Sequence, residues 1–396
     1  MYSKFKLLLQ YKTQTYLLIL TFITAIGTYF VIPFLSIYMT KTLGITGGVV
    51  GIVLSIQLFF SRGLMIITGP LSDHVGSKYL SIIGLFLIGV SYLAYAIIQQ
   101  VWLFVIFLAI GGLGVALFQP SSKAILVTGI QSEIRNILFG WRNVLFNSGV
   151  ALGSGLGLFL VDIVGYKTLF IFGSLIFIIM AAISIFIIPT SKYTSTTHAS
   201  IFKNVIEAFS NIKMLLMFIC SIVFWFLYTQ VTITVPLTFE TYNMVKLLSL
   251  FFMLNAALAI IIQVPILNYT NKLNLSPENQ FVLGILLIGL GLVSLVFLPY
   301  GLGIFILFLV TFTLGEILSS PNLDAIASLL ANKDNQGTYF GVLGAGWAIG
   351  GTLGNIIGGF LFDYNITIMW VIFSLVSLVF AFIIKTLFTV INKGDM

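Results

Sequence analysis

Arg62, Arg142 and Glu316 lie inside long apolar runs. A charge in hydrocarbon costs about 2.5–3.5 kcal/mol on insertion scales, so each is a candidate for work that a neutral residue cannot do. Glu316 is the deepest acid, about 15 residues into its run, or roughly 22 Å at the helical rise. Desolvation favours the protonated form of a carboxyl group, so Glu316 suits proton exchange or, when ionised, contact with a cation. The alternative is a structural carboxylate that pairs with an arginine and never titrates. Arg142 stands seven residues before Gly149, on the face of a helix that also carries Gly153 and Gly157. It could receive an anion, pair with Glu316, or extend to the headgroups. Arg62, roughly 10 Å before Gly69 along a helix, has the same options.

Other chemistry is poorly provided for. The chain has one cysteine, Cys220, and two histidines, His74 and His198, which leaves no cluster with metal-ligand spacing and no nucleophile–base arrangement. No phosphate-cradling glycine loop is present, which argues against direct ATP coupling. The net charge of +7 is not gathered into a basic stripe with interleaved aromatics, so no nucleic-acid partner is expected. Neither a cofactor nor a metal is called for, and an enzyme is not expected.

The elements that must hold these charges follow from composition. With 59% apolar and 7% charged residues, the chain cannot cover a soluble surface, for which about 25% charge is usual. The solvent is therefore lipid. Runs long enough to cross a bilayer, at about 20 residues each, cover 15–39, 47–71, 79–98, 101–127, 137–161, 168–188, 214–239, 247–267, 281–298, 301–330, 339–362 and 366–387. Placing both termini in the cytoplasm puts Lys78, Lys123, Arg135, Lys192, Lys203, Lys213, Lys272 and Lys333 on that side, against Lys41, Lys167 and Lys246 on the other. This is the asymmetry of the positive-inside rule. The longest polar stretch, 189–211, reads as a cytoplasmic linker between bundles at 1–188 and 212–396.

The two bundles are copies. Gly114, Pro120 and Ala124 are answered 201 positions later by Gly315, Pro321 and Ala325, and Gly149, Gly153 and Gly157 by Gly350, Gly354 and Gly358. Glycines four apart make a stripe on which another helix can approach closely. The match is not complete, since the partner of Arg62 is the neutral Gln263. The fold class is thus an all-α membrane protein, with twelve transmembrane helices in two pseudo-symmetric six-helix bundles.

Gly69-Pro70-Leu71-Ser72-Asp73-His74-Val75-Gly76-Ser77-Lys78, between runs two and three, resembles the signature loop of the major facilitator superfamily. The glycine stripes resemble the antiporter signature of its drug/proton exporters, with Ser154 and Asn355 where that signature has proline. Gly27 to Phe34 and Thr313 to Pro321, followed by Gly337 to Gly341, resemble its bacterial multidrug-efflux branch. The family often has an arginine where this chain has Leu108. The resemblance implies a proton-coupled secondary transporter in the bacterial plasma membrane, expected as a monomer, with a small-molecule substrate and protons as its partners. Export of an amphipathic or cationic molecule by alternating access is the leading expectation. Export of a metallophore or siderophore, using Arg142 and Arg62, and proton-coupled uptake of peptides or other nutrients are the alternatives.

It further implies gating roles for Gly69, Asp73, Gly76 and Lys78, with Asp73 meeting the start of run eleven near Gly337 to Gly341. Substrate contact is expected from Glu316, Arg142 and Arg62, and from Tyr29, Gln119 and Tyr228 on runs one, four and seven. Lys123 and Asp324 occupy equivalent positions near the ends of runs four and ten and are expected to pair when the inner mouth closes. Charge reversal at either is expected to impair transport, and double reversal to restore part of it. Absence of rescue in vesicle transport assays would count against that pair.

Overall fold

The computed structural model describes residues 12–65, 67–68, 71–72, 76–127, 132–189, 209–330 and 336–394. It is helical throughout, with no strand among the described residues, and ten helices are long and apolar enough to cross a membrane. Span one consists of Lys12–Tyr29 and Ile32–Lys41, and span two of Gly47–Leu58 continued by Phe59–Gly63. Spans three and four are Ser77–Ile97 and Val101–Val127. A continuous run, Ser132–Ile187, holds spans five and six, divided at Gly165, whose φ of 74° and ψ of 169° turn the chain out of the helix. A side chain there would strain the backbone, which is why glycine marks the junction.

The second half repeats this outline. Span seven is Ile212–Tyr228, Thr229–Thr232 and Thr234–Thr241, and span eight is Val245–Lys272. Span nine is Pro277–Ser294 with Leu295–Tyr300, and spans ten, eleven and twelve are Leu302–Leu330, Gln336–Tyr364 and Ile366–Gly394. Spans one and seven were each expected as one continuous helix, but both are broken at equivalent places. Span one turns at Phe30 and Val31 and resumes with Pro33 in its first turn, while span seven tightens over Thr229–Thr232 before Pro236. Proline supplies no N–H and so removes one bond from an α ladder. Such breaks persist in membrane helices where neighbours satisfy the freed groups.

Two compact units emerge, and they do not divide span two or span eight at their ends. The first holds span one, spans three to six, span two from Ile56 onward, and Leu248–Ala257 of span eight. The second holds Ile45–Ser55 of span two, span seven, the rest of span eight, and spans nine to twelve. Within the first unit, span one packs on span five, and span three on spans four and six. The second unit repeats this with seven on eleven, and nine on ten and twelve.

Glycine sets the closest approaches. A Cβ on Gly84 would lie 2.6 Å from the carbonyl oxygen of Gly114, and one on Gly114 2.7 Å from that of Gly84. Spans nine and ten meet in the same way at Gly284 and Gly315, with 2.7 Å in both directions. The stripe of span five lies on span one, where a Cβ on Gly153 would sit 2.7 Å from the Ile26 oxygen. Gly350, Gly354 and Gly358 likewise press on Ile222, Phe226 and Gln230 of span seven. Without a hydrophobic force between helices in lipid, such contact is a main source of cohesion.

Gly315→Leu is therefore expected to overpack the nine–ten contact and cost about 1–3 kcal/mol or more. Gly344→Ala, where an added Cβ meets nothing within 4 Å, is expected to stay within about 0.5 kcal/mol. Thermal unfolding of the purified protein in detergent distinguishes the two.

Candidate functional site

In the first unit, a basic cluster is built where spans two and four touch. Gly112 permits the approach, since a Cβ there would lie 2.6 Å from the Gln57 oxygen and 2.9 Å from the Phe60 Cβ. Gln119, seven residues on, lies on the same face of span four. Opposite it, span two passes through one wider, π-helical turn, Phe59–Gly63, which carries Arg62. Such turns commonly accompany functional positions. Arg62 Nη1 donates to Gln119 Oε1 at 2.8 Å. Tyr29 and Arg142 both lie within electrostatic reach of the same guanidinium. Tyr29 stands at the break of span one, with its ring edge-on to Phe146 at 6.4 Å and Phe252 at 5.8 Å between centroids. Four residues singled out in the sequence, Tyr29, Arg62, Gln119 and Arg142, thus come together. Two cations beside a tyrosine and an amide make a place of positive potential with hydrogen-bonding capacity for an anion.

The second unit holds an acidic and aromatic cluster. Gly315 presses against Gly284 of span nine, and the next residue, Glu316, is turned about 100° around the helix. Tyr228 at the C-terminal end of the first helix of span seven donates its hydroxyl to Glu316 Oε1 at 2.9 Å. Its ring stacks on Phe224 at 5.5 Å and packs against Phe312 at 5.6 Å and Trp225 at 5.3 Å. Trp225 lies flat on Trp347 of span eleven, with centroids 3.7 Å apart and planes 8° from parallel. A half-buried carboxyl group is thereby set in aromatic surroundings, a combination that suits a cation through charge and ring faces. Glu316 and Tyr228 are thus in direct contact, as two members of the same cluster.

Of the polar groups beside this cluster, sequence reasoning singled out Asn355 but not Gln230 or Thr229. Gln230, at the position equivalent to Tyr29, is fully buried and donates to the Phe226 and Gly354 oxygens at 2.9 and 3.0 Å, while its Oε1 accepts from Thr234 at 2.9 Å. Asn355 Oδ1 accepts from Thr229 at 3.0 Å. The first of these bonds meets a backbone oxygen just before the break in span seven, and the Gly354 and Asn355 bonds tie the break to span eleven. The signal for Asn355 was its place in the glycine stripe, where a drug/proton exporter would have proline. Asp363, near the end of span eleven, was also missed.

The expected gating residues are reached only in part. Gly69 and Asp73 lie outside the described residues, as does the side chain of Asp324. Gly76 precedes span three with a φ of 103°, Lys78 is half-buried at its start, and Lys123 is exposed on span four. Ser72 joins the loop to both neighbours, through Ser77 at 2.8 Å and Ser121 at 3.2 Å.

The family model described as Major Facilitator Superfamily matches residues 17–354. The chain belongs to the major facilitator superfamily. It is therefore a multi-pass secondary transporter rather than an enzyme. Multidrug resistance protein MdtH of Shigella sonnei (strain Ss046) is 25% identical over 349 residues, which cover 88% of this chain and 86% of the relative. The protein of the same name from Escherichia coli (strain K12 / DH10B) gives the same figures. Among solved structures, the nucleoside transporter NupG superposes with a TM-score of 0.78 over 95% of this chain and 99% of its own, at 14% identity. The peptide transporter POT in complex with sulfate gives 0.76 over 96% and 95%, at 16% identity. At such identities the likeness is one of fold. One of these structures is a nucleoside transporter and the other a peptide transporter, so the fold alone does not name the cargo.

Gln119→Leu would leave the Arg62 guanidinium without its 2.8 Å acceptor, at an expected cost of about 1–3 kcal/mol. Gln119→Glu keeps an acceptor and adds charge, and is expected to unfold at or above the native temperature. Equal losses for both variants in thermal unfolding would remove this contact from the account.

Proposed function

We propose that this transporter exports a small amphipathic or cationic organic molecule across the bacterial plasma membrane in exchange for protons. The observation that carries the reading is the carboxyl group of Glu316, held by the Tyr228 hydroxyl at 2.9 Å beside the Trp225–Trp347 stack. Protonated, it presents a neutral aromatic surface; ionised, it attracts a cation. One group cannot hold proton and cation together, and that competition is the simplest physical basis for antiport. The drug-resistance names of the relatives support the same reading. In this proposal both termini are cytoplasmic, residues 1–188 and 212–396 are the two moving bundles, joined by 189–211, the protein works as a monomer, and Asp73 with Gly69, Gly76 and Lys78 closes the cytoplasmic side.

A second reading rests on the basic cluster. Arg62, bonded to Gln119 and in reach of Arg142 and Tyr29, could take the carboxylates of an anionic metallophore, with export again the direction. Proton-coupled uptake of peptides is the third, and it has no comparable side-chain observation in its favour.

Proteoliposomes with an imposed pH gradient separate these readings when tested with tetraphenylphosphonium, an opine-type metallophore and a dipeptide. For antiport, an acidic lumen drives accumulation, because protons leave as cargo enters; for symport, an acidic exterior does so. The expected result is tetraphenylphosphonium accumulation with an acidic lumen. In Glu316→Gln, the response to the gradient is expected to vanish. Coupling at the native level in that variant would falsify the role given to Glu316.

A further inference from the structure

Asp363, next to the last residue of span eleven, Tyr364, reaches back to the first turn of span two. The Gly47 N–H donates to its Oδ1 at 2.7 Å and the Gly48 N–H to its Oδ2 at 2.6 Å. Both amides lie in the first turn of a helix, where no intrahelical acceptor exists and the helix dipole favours a negative charge. The contact continues along both helices inside the second unit. Gly51 lies on the Asn355 backbone, Gly359 on Gly47, and Ser55 Oγ donates to the Thr352 oxygen at 3.0 Å.

Two features distinguish this from an ordinary helix cap. First, the surfaces are smooth: a Cβ on Gly47 would strike the Asp363 carboxylate at 2.7 Å, and one on Gly48 the Phe360 ring at 2.8 Å. At Gly47 and Gly48 span two offers backbone and no side chain, so the paired charge-assisted bonds are a specific hold there. Second, span two changes unit at Ser55 and Ile56, and its π-helical turn, Phe59–Gly63, begins three residues beyond Ile56. An irregular turn inside a helix is a place where bending can be absorbed. We propose that the Asp363 carboxylate is a releasable latch, which holds the first half of span two on span eleven in one state of the transport cycle and lets go in another. It acts at the end of span two remote from the Asp73 loop.

Cys220 is the chain's sole cysteine, so Cys220→Ser gives a thiol-free background. In it, Ser55→Cys reports on the contact, because Ser55 is buried against span eleven. Alkylation of that thiol by a water-soluble maleimide is expected to accelerate about tenfold with Asp363→Ala. Asp363→Asn, which keeps an oxygen facing the amides and disturbs folding less, is expected to give an intermediate rate. Independently, the pair Gly48→Cys and Phe360→Cys, which also removes the ring in the way, is expected to form a disulfide readily with Asp363 present and several-fold less with Asp363→Asn. Equal alkylation rates and equal disulfide yields with and without the carboxylate would overturn the latch and leave a static cap.

Discussion

Hydrocarbon offers no hydrogen-bond partners, and the architecture is shaped by that fact more than by any other. A donor or acceptor that leaves water must be met from within the protein or cost several kcal/mol. Helices meet it for most of the backbone. Where span seven breaks, Gln230 reaches the backbone oxygens of Phe226 and Gly354, and Asn355 accepts from the Thr229 hydroxyl. Charged side chains obey the same rule. Arg62 is bonded to Gln119 and Glu316 to Tyr228, so the groups most expensive to place in a membrane are also the most closely attended. In the function proposed here a transported ion or proton would replace one of these partners, which connects the cost of burial to that proposal.

The duplicated skeleton explains how the two units can share geometry and differ in chemistry. Gly84 with Gly114 and Gly284 with Gly315 bring neighbouring helices equally close, and the glycine stripes of spans five and eleven do the same on spans one and seven. Side chains next to these contacts have diverged. The first unit places arginines beside Tyr29 and Gln119, while the second places an acid among tyrosine, phenylalanine and tryptophan. Drug export with protons, the function proposed for this member of the superfamily, draws on that asymmetry. The backbone supplies equivalent positions in each unit, and only some of them carry charge.

Much of this was legible in the sequence. Apolar runs, the 201-residue repeat and the loop from Gly69 to Lys78 fix the class of fold, because bilayer thickness and helix packing leave few other solutions. Arg62, Gln119, Arg142 and Tyr29 were singled out separately and prove to be neighbours; Glu316 and Tyr228 likewise. Their direct contacts were not legible, since rotamers and the π-helical turn at Phe59–Gly63 decide them and neither leaves a period in the sequence. The breaks at Phe30–Val31 and Thr229–Thr232 lie inside runs read as single spans, although Pro33, Pro236 and the polar Thr229, Gln230 and Thr232 were available as signals. Asp363 was passed over because a carboxylate at a span end usually faces water, and its partners are backbone amides that no sequence pattern displays.

In the proposed function one carboxyl group, that of Glu316, exchanges a proton for a cation. Proton release on binding tests it most directly. Tetraphenylphosphonium is added to the purified protein in weakly buffered detergent solution containing a pH-sensitive dye. The account predicts about one proton released for each cation bound by the native chain and none by Glu316→Gln. Binding without release in the native chain, or equal release from both proteins, would contradict it.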